Sequence, residues 1–403
     1  MFSHPSRFLL IFLGCVPAWG DDDTAWSPEL SMQVETIGSV TPSPDGAWVA
    51  YTRTRAVMEA ETSQMVTQIY VAKADGSRRF QLTSGEQSCT SPAFSADSQQ
   101  VFFFSRRSGE ANIWRIALDG GEAQQLTDWE GPMGSFQVSP DGRSLAFLGR
   151  KKDVELEQAK QQKLDFQIVG ETAKNDHLWL TSADLNLETQ EPERISDPAI
   201  HVQQFQWSAD GSRIVFEHWP RPEPDYWLQS DIAELELANR GVRELAADEA
   251  SERSPRYSPD GKWVAFVRSS HLKNWAREGR LVILNLESGE SRTLPVTQDE
   301  FGRGSNLLGF TEDSTQLLFT ETQGTRNVLM TMGLTEFAGE EALAKPGTRE
   351  EGKPTRMGYP HAGTLAGYGR GARLNATGTH IGFARESTAE AVEAYLLDLE
   401  GDT

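Results

Sequence analysis

The fold is decided by a short stretch, Ser258-Pro-Asp-Gly-Lys-Trp-Val-Ala-Phe266, in which a turn leads into an apolar strand. Proline presets φ at the second position of a type I turn, aspartate bonds the nearby backbone, and glycine accepts the left-handed conformation that closes a hairpin. The strand after the turn is apolar at consecutive positions, which indicates that both of its faces are covered. The stretch therefore predicts a buried β-hairpin.

The same turn recurs along the whole chain, with third positions 44 to 69 residues apart. The other copies are Ser43-Pro-Asp-Gly46, Ser95-Ala-Asp-Ser98, Ser139-Pro-Asp-Gly142, Ser208-Ala-Asp-Gly211 and two degenerate ones, Thr311-Glu-Asp-Ser314 and Asn375-Ala-Thr-Gly378. An aromatic residue follows each third position by six: Tyr51, Phe103, Phe147, Phe216, Phe266, Phe319 and Phe383. Aromatic residues make up only 9% of the chain, so this register identifies a true repeat.

Each repeat predicts one blade of a β-propeller. Most units continue with a strand, a turn and a last strand, as in 68–83, 112–127 and 280–294. Four strands per repeat is the pattern of a propeller blade, and a closed propeller hides its strand edges better than a solenoid does. We therefore expect an all-β chain. It should form a seven-bladed propeller of four-stranded antiparallel blades over residues 26–403, with six or eight blades left open.

The last blade allows two arrangements. If the fold is complete, residues 34–40 are expected to supply the missing strand of the last blade. If the protein is truncated, the blade that contains Phe383 is expected to be one strand short and to have an exposed edge.

Two units carry insertions. Residues 151–163 are rich in charged helix formers, which predicts a short exposed helix followed by a turn. Residues 219–227 contain three prolines, which predicts an extended loop and argues against a helix. This second loop is rigid, charged and aromatic, so it is either a contact for a partner domain or peptide, or a solvated loop.

The first twenty residues predict a secretory signal peptide. Arg7 precedes the apolar run 8–14, and Ala18 and Gly20 place small residues before a cut at Asp21. The protein is therefore expected to be exported, to a periplasmic or extracellular location. A lipoprotein signal with Cys15 as the lipid acceptor is the alternative. The apolar run is too short to span a bilayer, and no later segment is apolar enough to be transmembrane.

Charge and cysteine content restrict the partners. The 403 residues include 59 acidic and 38 basic ones, giving a net charge of −21, which argues against nucleic acid as a partner. Signal cleavage leaves Cys89 as the one remaining cysteine, so an internal disulfide is not expected. Cys89 is predicted to be a small half-buried filler, not a reactive thiol.

At its turns the sequence resembles TolB-type, WD40-like propellers. It resembles more closely the N-terminal propeller of the prolyl oligopeptidase family of serine peptidases, of the acylaminoacyl-peptidase and dipeptidyl-peptidase types. The resemblance covers about residues 26–400 and includes Trp26-Ser-Pro-Glu-Leu30, His177-Leu-Trp179 and the proline-rich loop before Ser230-Asp-Ile232. It implies a domain that admits only short peptides to a catalytic site on a partner α/β-hydrolase domain or subunit.

The chain departs from that family in one respect. The Gly-x-Ser-x-Gly nucleophile motif is absent, since 302–305 and 131–135 fail its spacing. The chain alone is therefore not expected to hydrolyse peptides. Two other classes stay open: a stand-alone TolB-like periplasmic propeller that binds a protein partner, and a propeller enzyme such as a metal-dependent lactonase.

The sequence assigns no catalytic, cofactor-binding or metal-binding residue. None of its histidines is paired at metal-ligand spacing; they are His4, His177, His201, His218, His271, His361 and His380. The turn aspartates are predicted to serve their hairpins, not Ca²⁺. The glycine-rich 358–371 is predicted to be a loop because no helical pattern follows it. Asn375-Ala-Thr377 fits a glycan acceptor but occupies a blade turn. Acidic residues at a propeller rim can recognise a peptide amino terminus, and the sequence does not indicate which ones.

Overall fold

The computed structural model describes residues 27–59, 62–164, 166, 173–183, 191–270, 278–302, 304–334, 355–357, 364–365, 371–387 and 391–399. Within these residues there are seven four-stranded sheets, helices α1 (Pro28–Met32) and α2 (Val154–Gln161), and one 3-10 helix, Pro224–Gln229. The predicted all-β class is confirmed. The predicted signal peptide, including Cys15, lies outside the described residues, as do His4, His271 and His361.

The sheets follow one another along the chain, and neighbouring strands are antiparallel. The first three consist of β1 (Thr36–Pro42), β2 (Trp48–Glu59), β3 (Thr62–Lys73) and β4 (Arg79–Gln81); β5 (Cys89–Phe94), β6 (Gln100–Ser108), β7 (Glu110–Ala117) and β8 (Gln124–Gln125); and β9 (Met133–Val138), β10 (Ser144–Gly149), β11 (His177–Ser182) and β12 (Glu193–Arg194). The next two consist of β13 (His201–Trp207), β14 (Arg213–Trp219), β15 (Asp231–Glu236) and β16 (Val242–Ala246); and β17 (Glu252–Tyr257), β18 (Trp263–Ser269), β19 (Gly279–Asn285) and β20 (Ser291–Thr293). The last two consist of β21 (Asn306–Phe310), β22 (Gln316–Gln323), β23 (Arg326–Gly333) and β24 (Thr355–Arg356); and β25 (Thr364–Leu365), β26 (Arg373–Leu374), β27 (His380–Glu386) and β28 (Glu393–Asp398).

These sheets are the blades of a seven-bladed β-propeller, which confirms the predicted blade number. The chain divides into two compact units, which we describe separately. The first comprises residues 1–107, 113–124 and 359–403, and the second comprises 108–112 and 125–358. The first, second and last sheets belong to the first unit, except for residues 108–112 and Gln125, and the third to sixth sheets belong to the second unit.

The turn between the first two strands of a sheet is held by one hydrogen-bond pattern. Ser258 Oγ donates to Asp260 Oδ1 at 2.6 Å and accepts from the Trp263 N–H at 3.0 Å. Asp260 Oδ1 also accepts from the Lys262 N–H at 3.1 Å. The same pattern occurs at 43–48, 95–100, 139–144, 208–213 and 311–316. In the seventh turn, Asn375 Oδ1 accepts from the Thr379 and His380 N–H groups instead.

The seven aromatic residues of the repeat form the centres of the blades. Tyr51, Phe103, Phe147, Phe216, Phe266, Phe319 and Phe383 are all 2% exposed or less. Fully burying such a side chain contributes about 1.5–3 kcal/mol to folding. Within each unit, apolar clusters join successive sheets, so the strands on which these residues lie are apolar at consecutive positions.

In the second unit, the innermost strands of successive sheets are tied together by side chains two residues before each turn. Gln137 Nε2 donates to the Phe205 carbonyl at 2.6 Å, and Gln206 Oε1 accepts from the Tyr257 N–H at 2.8 Å. Arg256 Nε donates to the Leu308 carbonyl at 3.3 Å. These bonds fix the inner strand of one sheet against the inner strand of the next.

In the first unit, the last sheet packs directly on the first sheet. Val40, Tyr51, Ala384 and Leu396 share one apolar cluster across the two sheets. Both arrangements expected for the last blade are wrong, because β1 pairs with β2 of the first sheet and the last sheet has four strands of its own. Since β28 runs along one edge of β27, the short strands β25 and β26 share its other edge. The seam therefore rests on side-chain packing and on hydrogen bonds that Asn375 Nδ2 and Thr377 Oγ1 donate to the Pro44 carbonyl, at 3.3 and 3.1 Å.

The two predicted insertions had different outcomes. The exposed helix is confirmed as α2, which has no buried residue and has Asp153 as its N-cap. The prediction of an extended proline-rich loop is wrong for its second half, because Pro224–Gln229 forms a 3-10 helix. Proline is tolerated in a first helical turn, where its missing N–H has no partner to lose, so Pro224 begins the helix.

Cys89 is completely buried, not half-buried as predicted. Its Sγ lies 3.1 Å from Arg107 Nη2 and 3.8 Å from Ser105 Oγ. In the described part of the chain, no helix has the length and apolarity needed to cross a bilayer.

Candidate functional site

Each of the first six sheets has two different ends. Its first and second strands meet at the Ser/Thr-x-Asp turn, and the connection between its second and third strands lies at the opposite end, which we name the loop end. The loop ends carry the elaborations of this chain: the twelve-residue strands of the first sheet, α2 in the third and the 3-10 helix in the fourth. Binding groups concentrate on such connections in proteins, so the loop ends are the candidate sites.

In the second unit, the loop ends of the fourth and fifth sheets bring together several carboxyl groups. Glu217 is 5% exposed and reaches from β14 to the next sheet, where its Oε2 accepts from the Ser254 N–H at 2.9 Å. Ser254 lies in a β-bulge with a positive φ of 58°, which turns its N–H out of the strand ladder. Glu217 Oε1 accepts from Trp219 Nε1 at 3.2 Å. Glu217 therefore joins the two sheets.

Asp231 and His218 face each other across β14 and β15. Burial raises the pKa of the Asp231 carboxyl to about 6, the positive charge of His218 opposes that shift, and the negative charges of Glu244 and Asp248 add to it. His218 Nε2 lies 3.3 Å from Glu244 Oε2, at the exposed edge of the sheet. Asp231 therefore changes its charge close to neutral pH.

Glu252 and Asp248 share the Arg268 guanidinium. Arg268 Nε donates to Glu252 Oε1 at 3.0 Å, and its Nη2 lies 2.8 Å from Asp248 Oδ2. Glu252 is 0% exposed, and its Oε2 has no hydrogen-bond partner among the described residues. Burial raises the pKa of Glu252 to about 7, although the Arg268 charge opposes the shift.

The 3-10 helix is anchored beside this cluster. Its Trp227 is buried, and the Trp227 carbonyl accepts from Ser251 Oγ at 3.3 Å. Ser251 Oγ also bonds Ser230 Oγ at 2.7 Å. The helix is thus fixed to the start of β17, which explains why this proline-rich segment is ordered.

We name the acidic cluster of the second unit after its five carboxyl groups: Glu217, Asp231, Glu244, Asp248 and Glu252. Arg268 pairs with Asp248 and Glu252, and the cluster has net negative charge when its carboxyl groups are ionised. In the described residues no three His, Cys, Asp or Glu side chains are placed to hold a metal ion. The arrangement suits an organic cation, such as an amine, that hydrogen-bonds to carboxylates.

His201 lies at the start of the fourth sheet and is held as a neutral ring. Its Nδ1 accepts from the Asp176 N–H at 2.9 Å, and burial lowers its pKa. The ring packs against Trp219 with centroids 5.5 Å apart. Asp176 is paired with Arg150 at 2.8 Å. His201 is therefore a satisfied structural histidine.

The first unit has a separate polar cleft of about 240 Å³ at the loop end of the first sheet. Its lining includes Glu35, Arg53, Arg55, Gln68 and Tyr70. Arg53 pairs with Glu35, and its guanidinium lies over the Tyr70 ring at 5.3 Å from the centroid.

Sequence reasoning identified neither the acidic cluster nor the cleft. The sequence did not indicate which acidic residues lie at the propeller rim. The proline-rich loop, which the sequence suggested as a contact site, lies beside the acidic cluster through its anchored 3-10 helix. One signal was available. At the second position after the repeat aromatic, five of the seven apolar strands carry a charged residue or a histidine: Arg53, His218, Arg268, Glu321 and Arg385. The turn aspartates lie in their hairpins, as predicted.

Taken together, the repeated turns and the seven blades define the class of protein: a seven-bladed β-propeller. Residues 38–182 match the family described as the TolB beta propeller domain.

The resemblance to peptidase propellers is confirmed by sequence relatives. The chain is 25% identical over 297 residues to dipeptidyl-peptidase 5 of Porphyromonas gingivalis, with 68% of this chain and 43% of that protein covered. It is 25% identical over 237 residues to the uncharacterized peptidase YuxL of Bacillus subtilis, covering 58% of this chain and 30% of that one. The alignments thus span less than half the length of these curated relatives.

Solved structures show the same fold. An acylaminoacyl peptidase of Pyrococcus horikoshii matches with a TM-score of 0.63 and 14% identity over 92% of this chain and 52% of that chain. The β-propeller domain of the Trilobed protease from Pyrococcus furiosus matches with a TM-score of 0.60 and 14% identity. That match covers 91% of this chain and 96% of the other, whose topology is described as open velcro.

Proposed function

We propose that this chain is the substrate-access propeller of an exported serine peptidase of the prolyl oligopeptidase family, acting on short peptides. The observation that carries the proposal is the alignment with dipeptidyl-peptidase 5 over 297 residues. A propeller of this kind excludes folded proteins and shields the reaction from bulk solvent, so its contribution is selection of the substrate. The catalytic groups belong to an α/β-hydrolase domain or subunit.

The acidic cluster supplies a specific role in that selection. Asp231 is half-buried, and Glu244 and Asp248 are exposed beside it, so a peptide amine can reach these three carboxyl groups. Glu252 and Arg268 lie behind and hold Asp248 in place. A charge-assisted hydrogen bond from an ammonium group to a carboxylate is stronger than one between neutral groups. We infer that the cluster receives the free amino end of a short peptide.

Calorimetric titration tests this role on the purified chain. The ligands are a tripeptide amide with a free amino group and the same tripeptide with its amino group acetylated. We expect the free amine to bind at least tenfold more tightly, and its affinity to increase as the pH rises through about 6, where Asp231 ionises. Asp231→Asn should remove the preference. Asp225→Asn, which removes an equal charge from the exposed neighbouring helix, should keep it. Equal binding of the two peptides would contradict the role.

The coding sequence beyond codon 403 tests the peptidase assignment itself. A reading frame, continuous or adjacent, that encodes Gly-x-Ser-x-Gly followed by Asp and His supports the proposal. Unrelated sequence there favours the alternative, a TolB-like propeller that binds a protein partner.

A further inference from the structure

We propose that the cleft of the first sheet is a binding site for a small carboxylate, separate from the acidic cluster and independent of the proposed peptidase role. The cleft lies between the side chains at the loop end of β2 and β3. Its principal groups are Arg53 and Arg55. The recognition is a hydrogen-bonded ion pair between their guanidinium groups and one carboxylate.

The polar groups of the cleft divide into those already bonded and those that are available. Gln68 Nε2 donates to the Gly85 and Gln87 carbonyls, both at 3.0 Å, and its Oε1 accepts from Thr83 at 2.8 Å. The Tyr70 hydroxyl donates to Gln81 Oε1 at 3.0 Å. These groups therefore form the wall of the cleft, and ligand binding would have to break their bonds.

The two guanidinium groups are the available donors. Arg53 Nε is shielded from solvent and has no hydrogen-bond partner among the described residues. Arg55 is exposed, and within the described parts of the chain it forms no hydrogen bond or ion pair. A buried N–H group without a partner is unfavourable, so an acceptor that reaches the Arg53 donor gains a hydrogen bond that the chain itself does not supply.

The strand geometry places the two arginines at a useful separation. Arg53 and Arg55 are two residues apart on β2, so their Cα atoms are about 6.6–6.8 Å apart and their side chains project from one face. A carboxylate between two guanidinium groups can accept from both. Arg53 is held in position by Glu35 on one side and by the Tyr70 ring on the other, and that ring stacks on Tyr51 with centroids 5.8 Å apart.

Charge and size define the ligand class. Two arginines and one glutamate give the cleft a net positive charge, although the whole chain has a net charge of −21. The cleft therefore attracts anions, which the rest of the protein on average repels. At about 30 Å³ per water molecule, 240 Å³ holds roughly eight waters. A small dicarboxylate fits this space, and the mostly polar lining disfavours an apolar ligand.

Calorimetric titration with glutarate tests the proposal on the intact chain. Glutarate is expected to bind, the uncharged isostere glutaramide should bind at least tenfold more weakly, and salt should weaken glutarate binding. Arg55→Gln should weaken it at least tenfold. Arg106→Gln, an exposed arginine on β6, should leave it unchanged. Among the described residues no hydrogen bond or ion pair involves Arg55, so its variant should fold normally, and circular dichroism checks this.

Two further ligands decide the chemistry. A blocked glutamyl amide carries the same side-chain carboxylate on a peptide unit. If it binds more tightly than glutarate, the ligand is an acidic side chain of a peptide; if it binds more weakly, the ligand is a free acid. Either result supports a carboxylate site. Inorganic phosphate binding as tightly as glutarate overturns it. Equal affinity for glutarate and glutaramide, no effect of Arg55→Gln, or no glutarate binding up to about 10 mM also overturns it.

Discussion

At the residue scale, the Glu252 carboxyl group shows how burial makes a charge depend on pH. Its pKa is raised to about 7 by burial, while in the unfolded chain it stays near 4.5. Arg268 opposes the shift, and the negative charges of Asp248 and Asp231 reinforce it. The folded state therefore binds a proton more tightly than the unfolded state does, and the stability of the protein falls as the pH rises from 4.5 to 7.

Glu252→Gln should remove this pH dependence. The amide keeps an oxygen for Arg268 Nε but carries no charge to bury, so the variant should be more stable than the parent at pH 8 and similar at pH 4.5. The upper limit of the gain is roughly 3 kcal/mol, at 1.36 kcal/mol per pKa unit. Urea unfolding at both pH values measures it. Glu249→Gln, at an exposed position three residues away, is the control. A loss of stability at pH 8 would show that Arg268 needs the full charge.

At the element scale, the blade turn depends on one hydroxyl and one carboxylate. Ser208 Oγ donates to Asp210 Oδ1 at 2.6 Å and accepts from the Arg213 N–H at 3.0 Å. This hydrogen bond is the main reason that the pKa of Asp210 is lowered to about 2, and the Ser212 N–H adds to it. A carboxyl group with a lowered pKa stabilises the fold above pH 3.8, and the effect is lost as the pH falls towards 2.

Ser208→Ala should destabilise the protein by about 1 kcal/mol at pH 7, because Asp210 and the Arg213 N–H each lose a partner. The difference between variant and parent should become smaller at pH 2.5, where Asp210 approaches half-protonation in the parent. Chemical denaturation at the two pH values gives both numbers. Ser288→Ala, in an exposed turn of the fifth sheet, is the comparison. An equal difference at both pH values would assign the stabilisation to the Arg213 N–H alone.

The same turns explain how much of the fold the sequence predicts. Ser, Asp and Gly act through bonds within a few residues, and the aromatic follows at a fixed distance, so blade number and register are local properties. Residues 34–40 and the 3-10 helix were mispredicted because tertiary contacts decide them: β1 has two possible partners in a ring, and Trp227 is fixed by Ser251 of another sheet. The cleft and the acidic cluster join groups from several strands, and no single-strand pattern places them together.

At the scale of the whole molecule, the seam between the last and first sheets depends on close packing within the first unit. Gly382 of β27 lies so near β1 that a Cβ there would be 2.6 Å from the Val40 carbonyl oxygen and 3.0 Å from Pro42 Cδ. Both contacts are with groups of restricted freedom, the first of them backbone, so the two sheets would have to separate.

Gly382→Ala should therefore destabilise the protein by about 1–3 kcal/mol, the usual range for overpacking. Gly333→Ala is the matched control, since a Cβ at Gly333 has nothing within 4 Å. Thermal unfolding compares the two, and hydrogen exchange should show the largest change in β1 and β27. If both variants unfold at the same temperature, the seam does not limit the stability of the protein.

Because β1 pairs within its own sheet, each of the first six sheets is encoded by one uninterrupted stretch of the gene. Duplicating or deleting one such stretch adds or removes a complete blade, and no sheet is then built from two distant parts of the chain. A ring closed by strand exchange lacks this freedom, since its first and last segments must remain matched. Unequal recombination can therefore change the blade number of this architecture in one step, and the degenerate turns at Thr311 and Asn375 show how far individual copies have since diverged.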